Sequence, residues 1–137
     1  MQRTEMLAKV EAAYEARRSG NFDKLKEVVA DDAAFSFAGE QSLLEGMPGS
    51  GRKSVHQAAR ELFDAIELRK LERLDSVAEE DRIAILWRTT AVVPGREPFE
   101  TLMFDLWEFD GSGKIRRGTQ FIDTAKFSGE MRSREKT

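Results

Sequence analysis

Asp105 is the residue of this chain whose surroundings point most clearly to chemistry. It lies in the segment FETLMFDLWEF, residues 99–109, where alternation places Met103, Asp105 and Trp107 on one face of a predicted strand. A carboxyl group between two large apolar side chains loses contact with water, which raises its pKa. We therefore expect Asp105 to be largely neutral near pH 7 and to donate a hydrogen bond to a ligand. The alternative is a structural carboxylate that pairs with an arginine or caps backbone amides.

The strand that follows offers polar partners for Asp105. A turn at residues 110–113 leads into this strand, whose inward face is predicted to be shared by Arg116, Gly118, Gln120 and Ile122. The Gln120 amide can both donate to and accept from a ligand, and Gly118 leaves room where a side chain would fill a cavity. Arg116 either neutralises Asp105 or lies in solvent at the sheet edge.

Aromatic residues complete the set of candidates. Tyr14 is the only tyrosine, and it either lines a cavity or packs its helix against the sheet. A largely apolar cavity lining is predicted from Phe35, Phe37, Trp87, Met103 and Trp107. An ordinary core would contain the same side chains.

The composition argues against several classes of function. A net charge of -3 with 34% charged residues lacks the basic excess that nucleic-acid binding requires. There are no cysteines, and the only histidine, His56, lies beside Lys53 and Gln57 and is expected in solvent, so we expect no metal site and no cofactor. Residues 1–18 carry charges throughout and do not resemble a signal peptide or membrane span. We therefore expect a cytoplasmic protein without a membrane partner.

Hydrophobic periodicity predicts three helices followed by a run of strands. The first helix spans residues 3–18, with Thr4 as a candidate N-cap and Gly20 as its stop, and Asn21 caps a second helix that ends near Val29. The later elements are a strand at 33–39, a glycine-rich loop at 39–51, a helix at about 52–67, an exposed strand at about 67–81, a strand at 82–93 and a hairpin at 99–123. The third helix should bury a stripe formed by Val55, Ala59, Leu62, Phe63 and Ile66.

This order predicts one α+β domain over residues 1–137, in which a curved antiparallel sheet wraps three N-terminal helices and leaves a cone. Its core should cover about residues 3–125, and the polar tail at 126–137 is expected to fray. The sequence signals are GNFDKL at 20–25, Asp31-Asp32 before the first strand, Gly51 before the third helix, and FDGSGKI at 109–115.

Together these signals resemble the NTF2-like superfamily, especially its SnoaL-like and ketosteroid isomerase-like branches. The resemblance implies a cone-shaped α+β barrel. It does not select a reaction, because the superfamily includes isomerases, cyclases, dehydratases, epoxide hydrolases and non-catalytic binding proteins.

The resemblance also assigns roles to residues. Asp105 falls on the aspartic acid that, in ketosteroid isomerases, helps a tyrosine donate hydrogen bonds to the substrate oxyanion. Tyr14 lies one residue out of register with that tyrosine, since Ala13 takes the aligned position. The general base would align with Phe37, which cannot take a proton. The chain is therefore not expected to be a Δ5-3-ketosteroid isomerase.

We expect the cone to bind a small, mostly apolar cyclic molecule, oriented by Asp105 and Gln120 with help from Tyr14. The first hypothesis is a cofactor-independent SnoaL-like enzyme in which neutral Asp105 promotes enolisation, cyclisation or loss of water. The alternative is a non-catalytic ligand-binding or assembly module. An enzyme should keep an open cavity from which Asp105 is accessible, whereas in a module the aromatic side chains should fill that space.

The outer face of residues 99–109 predicts self-association. Leu102, Phe104 and Leu106 alternate with the Asp105 face and form an apolar surface. Because such surfaces are seldom left bare, we expect a homodimer through the outer sheet face.

Overall fold

The computed structural model describes residues 1–39, 44, 51 and 53–135. The predicted α+β class is confirmed, with four helices and six strands in the described part of the chain. The helices are α1 (Arg3–Ser19), α2 (Phe22–Val28), α3 (Val55–Ala65) and α4 (Thr124–Glu135). The strands are β1 (Val29–Ala38), β2 (Lys53–Ser54), β3 (Glu67–Glu79), β4 (Arg82–Val92), β5 (Phe99–Phe109) and β6 (Ile115–Phe121).

The six strands form one curved sheet in the order β2-β1-β6-β5-β4-β3, which does not close on itself. Strands β3 to β6 follow one another in sequence and pair antiparallel, as predicted. The expectation of a fully antiparallel sheet is wrong at one pairing, because β1 runs parallel to β6. These two strands are far apart in sequence, so no hairpin turn dictates their relative direction.

Capping chemistry sets the ends of the first two helices. α1 stops at Gly20, whose φ of 74° is left-handed. The Asn21 side chain accepts a hydrogen bond from the Lys24 backbone N–H at 3.2 Å and caps α2 as predicted. At the other end of α1, Gln2 occupies the N-cap position that was predicted for Thr4.

α3 is shorter than the helix predicted at 52–67. Ser54 accepts a hydrogen bond from the Gln57 backbone N–H at 3.0 Å, so the helix begins only after it. Phe63 was expected in the buried stripe, but it is 42% exposed and packs edge-to-face on Phe22. The buried residues of α3 are Val55, Ala58, Ala59, Leu62 and Ala65. Three of these are alanines, which leave space between the helix and the sheet.

β1 is longer than the strand predicted at 33–39. It begins at Val29, directly after α2, and includes the exposed Asp31 and Asp32. Phe35 and Phe37 are buried on its inner face, as expected from alternation. The loop predicted at 39–51 lies almost entirely outside the described residues.

Helix α4 forms where the sequence shows no apolar period. Phe127 is buried, and its ring centroid lies 5.2 Å from that of Phe99 at the start of β5. Glu130 pairs with Arg96 at 3.0 Å and with Lys126 at 3.1 Å. An aromatic anchor and these ion pairs hold a helix that periodicity alone does not predict.

The core lies between the helices and the inner face of the sheet. α1 contacts β3 and β4, and α3 contacts β1. Alternation in β5 is confirmed, with Met103, Asp105 and Trp107 on the buried face. On the outer face, Leu102 is 51% exposed and Phe104 is 43% exposed. The inner face therefore carries the candidate site, and the outer face presents apolar side chains to solvent.

Candidate functional site

Asp105 lies in the middle of β5 and has no exposed surface. Its Oδ2 accepts hydrogen bonds from the Tyr14 hydroxyl at 2.5 Å, from Nε1 of Trp87 at 2.8 Å and from Nε1 of Trp107 at 3.1 Å. Its Oδ1 accepts from Nε2 of Gln120 at 3.0 Å. We call these five residues the Asp105 cluster. Both carboxyl oxygens thus have donors, and the two indole N–H groups can only donate.

Strand pairing assembles most of the cluster. Gln120 in β6 lies directly opposite Asp105, and Trp107 lies two residues further along β5 on the same face. Trp87 in β4 is diagonally opposite Asp105. Tyr14 comes from α1, and its ring packs edge-to-face on Trp87 with centroids 5.2 Å apart. The structure therefore brings together five of the residues selected from the sequence.

The amide of Gln120 links two members of the cluster. Its Nε2 donates to the Tyr14 oxygen at 2.7 Å as well as to Asp105. This amide orientation satisfies an ionised Asp105, whose Oδ1 can only accept. The Oε1 atom of Gln120 has no hydrogen-bond partner among the described residues. Every fully buried side-chain polar atom in this part of the chain has a partner, so Oε1 is not fully buried. Oε1 therefore borders open space.

Burial dominates the electrostatics of the cluster. It raises the pKa of Asp105 above its usual value, while the hydrogen bonds from Tyr14, Gln120 and the two tryptophans oppose that rise. Burial also raises the pKa of Tyr14 well above its usual value, and the charge and hydrogen bond of Asp105 add to the effect. Tyr14 is therefore protonated at neutral pH and keeps an O–H donor.

A narrow cavity of about 40 Å³, which we call the main cavity, lies between α1, α3 and the sheet. Its apolar wall includes Leu25, Phe35, Val55, Ala58, Ala59 and Leu62. Tyr14, Trp107 and Gln120 border it on the side of the cluster, and Asp105 and Trp87 are not part of its lining. A volume of this size holds a few water molecules, at roughly 10–15 Å³ each. A larger ligand must displace side chains.

Arg17 is a residue of this site that the sequence analysis did not select. It lies one turn after Tyr14 on α1 and borders the main cavity, a smaller cavity lined by Phe37 and Met103, and a groove that opens to solvent. Burial lowers the pKa of its guanidinium, whereas the nearby groups of Tyr14 and Asp105 raise it. A charged residue within an apolar helical stripe was the signal in the sequence that could have identified it.

Comparison with known proteins identifies the family. The SnoaL-like domain family matches residues 10–118. The chain belongs to this family. No match was found among curated protein sequences.

Several solved structures share the fold of this SnoaL-like protein. A candidate isomerase from Rhodopseudomonas palustris has 17% identity and a TM-score of 0.76, with 93% of this chain and 95% of that chain covered. An NTF2-like protein from Burkholderia xenovorans has 21% identity and a TM-score of 0.73, with 93% and 96% covered. An LEH-like epoxide hydrolase from M. tuberculosis has 16% identity and a TM-score of 0.67, with 90% and 86% covered. At these identities the likeness concerns the fold.

The space that a side chain at Gly118 would occupy in this SnoaL-like domain is filled by the Trp107 ring. Gly118 pairs directly with Trp107, and a Cβ atom at Gly118 would lie 2.2 Å from Cζ3 of the Trp107 ring. Contacts that short do not occur, so the absence of a side chain is what allows the indole to lie flat against β6. Gly118 therefore positions a donor to Asp105.

Arg116 lies away from the Asp105 cluster. The register between β5 and β6 shifts next to it, so that Glu108 faces Arg117 and Phe109 faces Ile115. The extra residue interrupts the alternation that predicted an inward Arg116. Its guanidinium is exposed and lies 3.4 Å from Glu108 Oε1. Of the two alternatives, the structure shows the arginine on the solvent side.

The remaining polar groups of the described residues form no second site of this kind. Among the described residues, no three His, Asp or Glu side chains group closely enough to hold a metal ion. His56 is only partly buried, and its Nε2 lies 3.1 Å from the Ala30 carbonyl oxygen. Within the described helices, none is both long and apolar enough to cross a membrane.

The cone is neither fully open nor filled by aromatic side chains. Asp105 is inaccessible, and Trp87 and Trp107 occupy the space on one side of it. A cavity nevertheless remains, bordered by Tyr14 and Gln120. The polar groups of the cluster that a ligand can reach are therefore those that surround the carboxyl group.

Proposed function

We propose that this SnoaL-like protein binds a small, mostly apolar cyclic molecule in the main cavity, with polar contacts from Tyr14 and Gln120 of the Asp105 cluster. The supporting observation is that Tyr14 and Gln120, tied to each other and to Asp105, border an otherwise largely apolar wall. Small-molecule sites typically combine apolar walls with a few well-placed polar groups. Hydrogen bonds within the cluster hold these groups in place before a ligand arrives.

Asp105 acts on the ligand through Tyr14 in this proposal. In the ligand-free protein the Tyr14 hydroxyl donates to Asp105. When Asp105 takes up a proton, which burial favours, it can donate to the Tyr14 oxygen instead. Tyr14 then turns its own O–H towards a ligand oxygen. Neutral Asp105 thus donates to Tyr14, and Tyr14 donates to the ligand.

The chemistry that we propose for this arrangement is polarisation of a ligand carbonyl without a cofactor. A hydrogen bond to a developing oxyanion contributes about 10²–10³-fold to a reaction rate. Enolisation of a ketone, aldol-type cyclisation and loss of water from a β-hydroxy ketone are reactions that develop such an oxyanion when they pass through an enolate. Phe37 supplies no general base, so in this proposal water or a basic group of the ligand takes the proton from carbon.

Ligand entry requires the main cavity to widen. The long side chain of Arg17 borders both the main cavity and the solvent-exposed groove, so its movement would connect the two spaces. Ala58 and Ala59 on the opposite wall set the remaining width.

A binding screen with a cavity-filling variant tests this function. Cyclic ketones and phenols are screened by ligand-observed NMR against the protein, against Ala59→Leu, which fills the cavity, and against Ala8→Leu, which makes the same change on the exposed face of α1. We expect binding to survive in Ala8→Leu and to disappear in Ala59→Leu. Absence of any ligand, or equal binding to both variants, would contradict the proposal.

Assembly through the outer sheet face is the second candidate function. Leu102, Phe104 and Phe121 are 51%, 43% and 49% exposed, and the two phenylalanine rings pack edge-to-face with centroids 6.3 Å apart. We propose that a second copy of the chain covers this surface, because large apolar patches on monomers are uncommon. This contact and the cavity lie on opposite faces of the sheet and do not exclude each other.

A further inference from the structure

Arg17 differs from the other arginines whose side chains are described. Most of these form an ion pair with a glutamate or a hydrogen bond to an acceptor, for example Arg73 with Glu11 and Arg3 with Ser76. Arg60 instead stacks over the ring of Phe22, 4.3 Å from its centroid. Arg17 alone among them has neither a hydrogen bond, an ion pair nor an aromatic ring contact.

The position of Arg17 makes this lack of partners significant. Its guanidinium has five N–H donors and stays charged at all ordinary pH values. Burial disfavours that charge and lowers the pKa of the guanidinium, yet the side chain borders the main cavity. The charge of Asp105 raises that pKa, but Arg17 makes no hydrogen bond or ion pair with the carboxyl group, whose oxygens are engaged by the cluster. Partly desolvated donors facing a cavity are complementary to an anion.

The helix places this cation next to the rest of the site. Tyr14 and Arg17 are three residues apart on α1, so their side chains lie on the same face. Gln120, whose Oε1 lacks a partner among the described residues, borders the same two cavities as Arg17. A ring lying against Ala58, Ala59 and Leu62 would therefore have the guanidinium within reach of a substituent.

We propose that the ligand of the main cavity is an organic anion, whose apolar ring lies between α1 and α3 and whose carboxylate or ionised phenol oxygen accepts hydrogen bonds from Arg17. This inference rests on the proposed function and names the class of ligand. Arg17 binds the charged group, while Tyr14 contacts a second oxygen on the ring. The Arg17 side chain, which lies between the main cavity and the groove, is then ordered by the ligand that it binds.

The test compares matched charged and neutral probes. Binding of 2-naphthoate and of its neutral isostere 2-naphthamide is measured by NMR titration, and 4-nitrophenol, followed by absorbance across its ionisation, tests a phenolate. The variants are Arg17→Gln, which removes the charge, Arg17→Lys, which keeps it, and Arg18→Gln as a control on the adjacent, exposed arginine. A preference for one anion identifies whether carboxylate or phenolate is the better ligand.

We expect the protein and Arg18→Gln to prefer the anion over the amide by about tenfold to a hundredfold, as for a hydrogen bond to a charged group. Arg17→Gln should lose that preference while still binding 2-naphthamide, and Arg17→Lys should retain part of it. Equal binding of 2-naphthoate by Arg17→Gln and the unmodified protein would overturn this inference alone. If none of the probes binds, the cavity function and this inference both fail.

Thermal stability provides a second, ligand-independent test. A guanidinium kept for an absent anion destabilises the ligand-free fold, so Arg17→Gln should raise the melting temperature relative to the unmodified protein. If Arg17 instead serves as the structural counterion of Asp105, its removal leaves a buried charge uncompensated and the melting temperature falls. A fall of several degrees would overturn the inference.

Discussion

The Tyr14 hydroxyl lies 2.5 Å from Oδ2 of Asp105, and this contact joins helix α1 to the centre of the sheet across 91 positions of sequence. Both side chains are almost entirely buried. Buried polar groups that are hydrogen-bonded contribute modestly, but leaving one without its partner is expensive. The stability of the fold and the protonation of the candidate site are therefore coupled through this pair.

Asp105→Ala should destabilise the protein strongly. It leaves the indole N–H groups of Trp87 and Trp107 without an acceptor, at about 1–3 kcal/mol for each buried donor. Asp105→Asn keeps one acceptor oxygen, so its free energy of unfolding should fall clearly less than that of Asp105→Ala. Urea unfolding of both variants measures the difference, with Asp31→Ala on the exposed part of β1 as the control. Equal losses for the Ala and Asn variants would show that the hydrogen bonds do not carry the effect.

The stability of the protein should also report the ionisation of Asp105. Its pKa in the folded state is raised by burial above the unfolded value of about 3.9, so the folded state holds the proton more tightly. The stabilisation that results from this tighter proton binding is fully present below the unfolded-state pKa of Asp105, and it is lost as pH rises through the folded-state pKa. We therefore expect the unfolding free energy, relative to Asp105→Asn, to increase as pH is lowered from 7 to 4 by about 1.4 kcal/mol for each unit of pKa shift.

NMR titration of the Asp105 side-chain carbon measures the same pKa directly. A value at or below about 3.9 would mean that the four hydrogen bonds outweigh burial. In that case Asp105 is ionised, and the proposed proton exchange with Tyr14 does not take place.

Gly118→Ala should displace the Trp107 ring. The new Cβ atom meets Cζ3 of Trp107 at 2.2 Å, and relieving such overpacking costs about 1–3 kcal/mol. Displacement should also break the hydrogen bond from the indole to Asp105, which is visible as a shift of the Trp107 Nε1–H resonance in NMR spectra. Gly111→Ala is the matched control, since a Cβ atom there meets nothing within 4 Å. An unmoved Trp107 resonance in the Gly118 variant would contradict the account of this position.

The outer face of β5 and β6 should mediate homodimer formation. Sedimentation at micromolar concentration is expected to give twice the chain mass of 15.5 kDa. Phe104→Glu places a charge in the patch and should produce monomers, whereas Phe63→Glu changes an equally exposed phenylalanine on α3 and should not. A monomer of the unmodified protein would refute the assembly proposal without affecting the cavity.

The protein should not isomerise Δ5-3-ketosteroids. Phe37 stands where the resemblance would place the general base, and its side chain is buried on the inner face of β1. Steady-state assays of substrate conversion should therefore give the buffer rate. Turnover above buffer that persists in Asp105→Asn would show that the alignment of β1 with that enzyme family is wrong.

Several features of the site follow from local sequence. Alternation in residues 99–109 determines that Asp105 is buried, because side chains on a strand point alternately to its two faces. Alternation along residues 118–122 puts Gly118 and Gln120 on the same face as Asp105, although the register shift at Arg116, and not the turn itself, brings Gln120 directly opposite it. Gly20 and Asn21 end one helix and begin the next through backbone geometry and a side-chain cap. These are interactions between residues close in the chain or across one hairpin, so short patterns predict them.

The tertiary structure decided the rest. Tyr14 reaches Asp105 only because of the way α1 packs on the sheet. The same packing makes Tyr14 border the main cavity. A register shift in the hairpin turned Arg116 to solvent, while Arg17, one turn beyond Tyr14, borders the main cavity. Helix rotation and strand register are set by long-range packing, and a change of one residue in either redirects a side chain. For that reason the sequence alone could place the carboxyl group and name candidate partners for it, but not which of them would contact it.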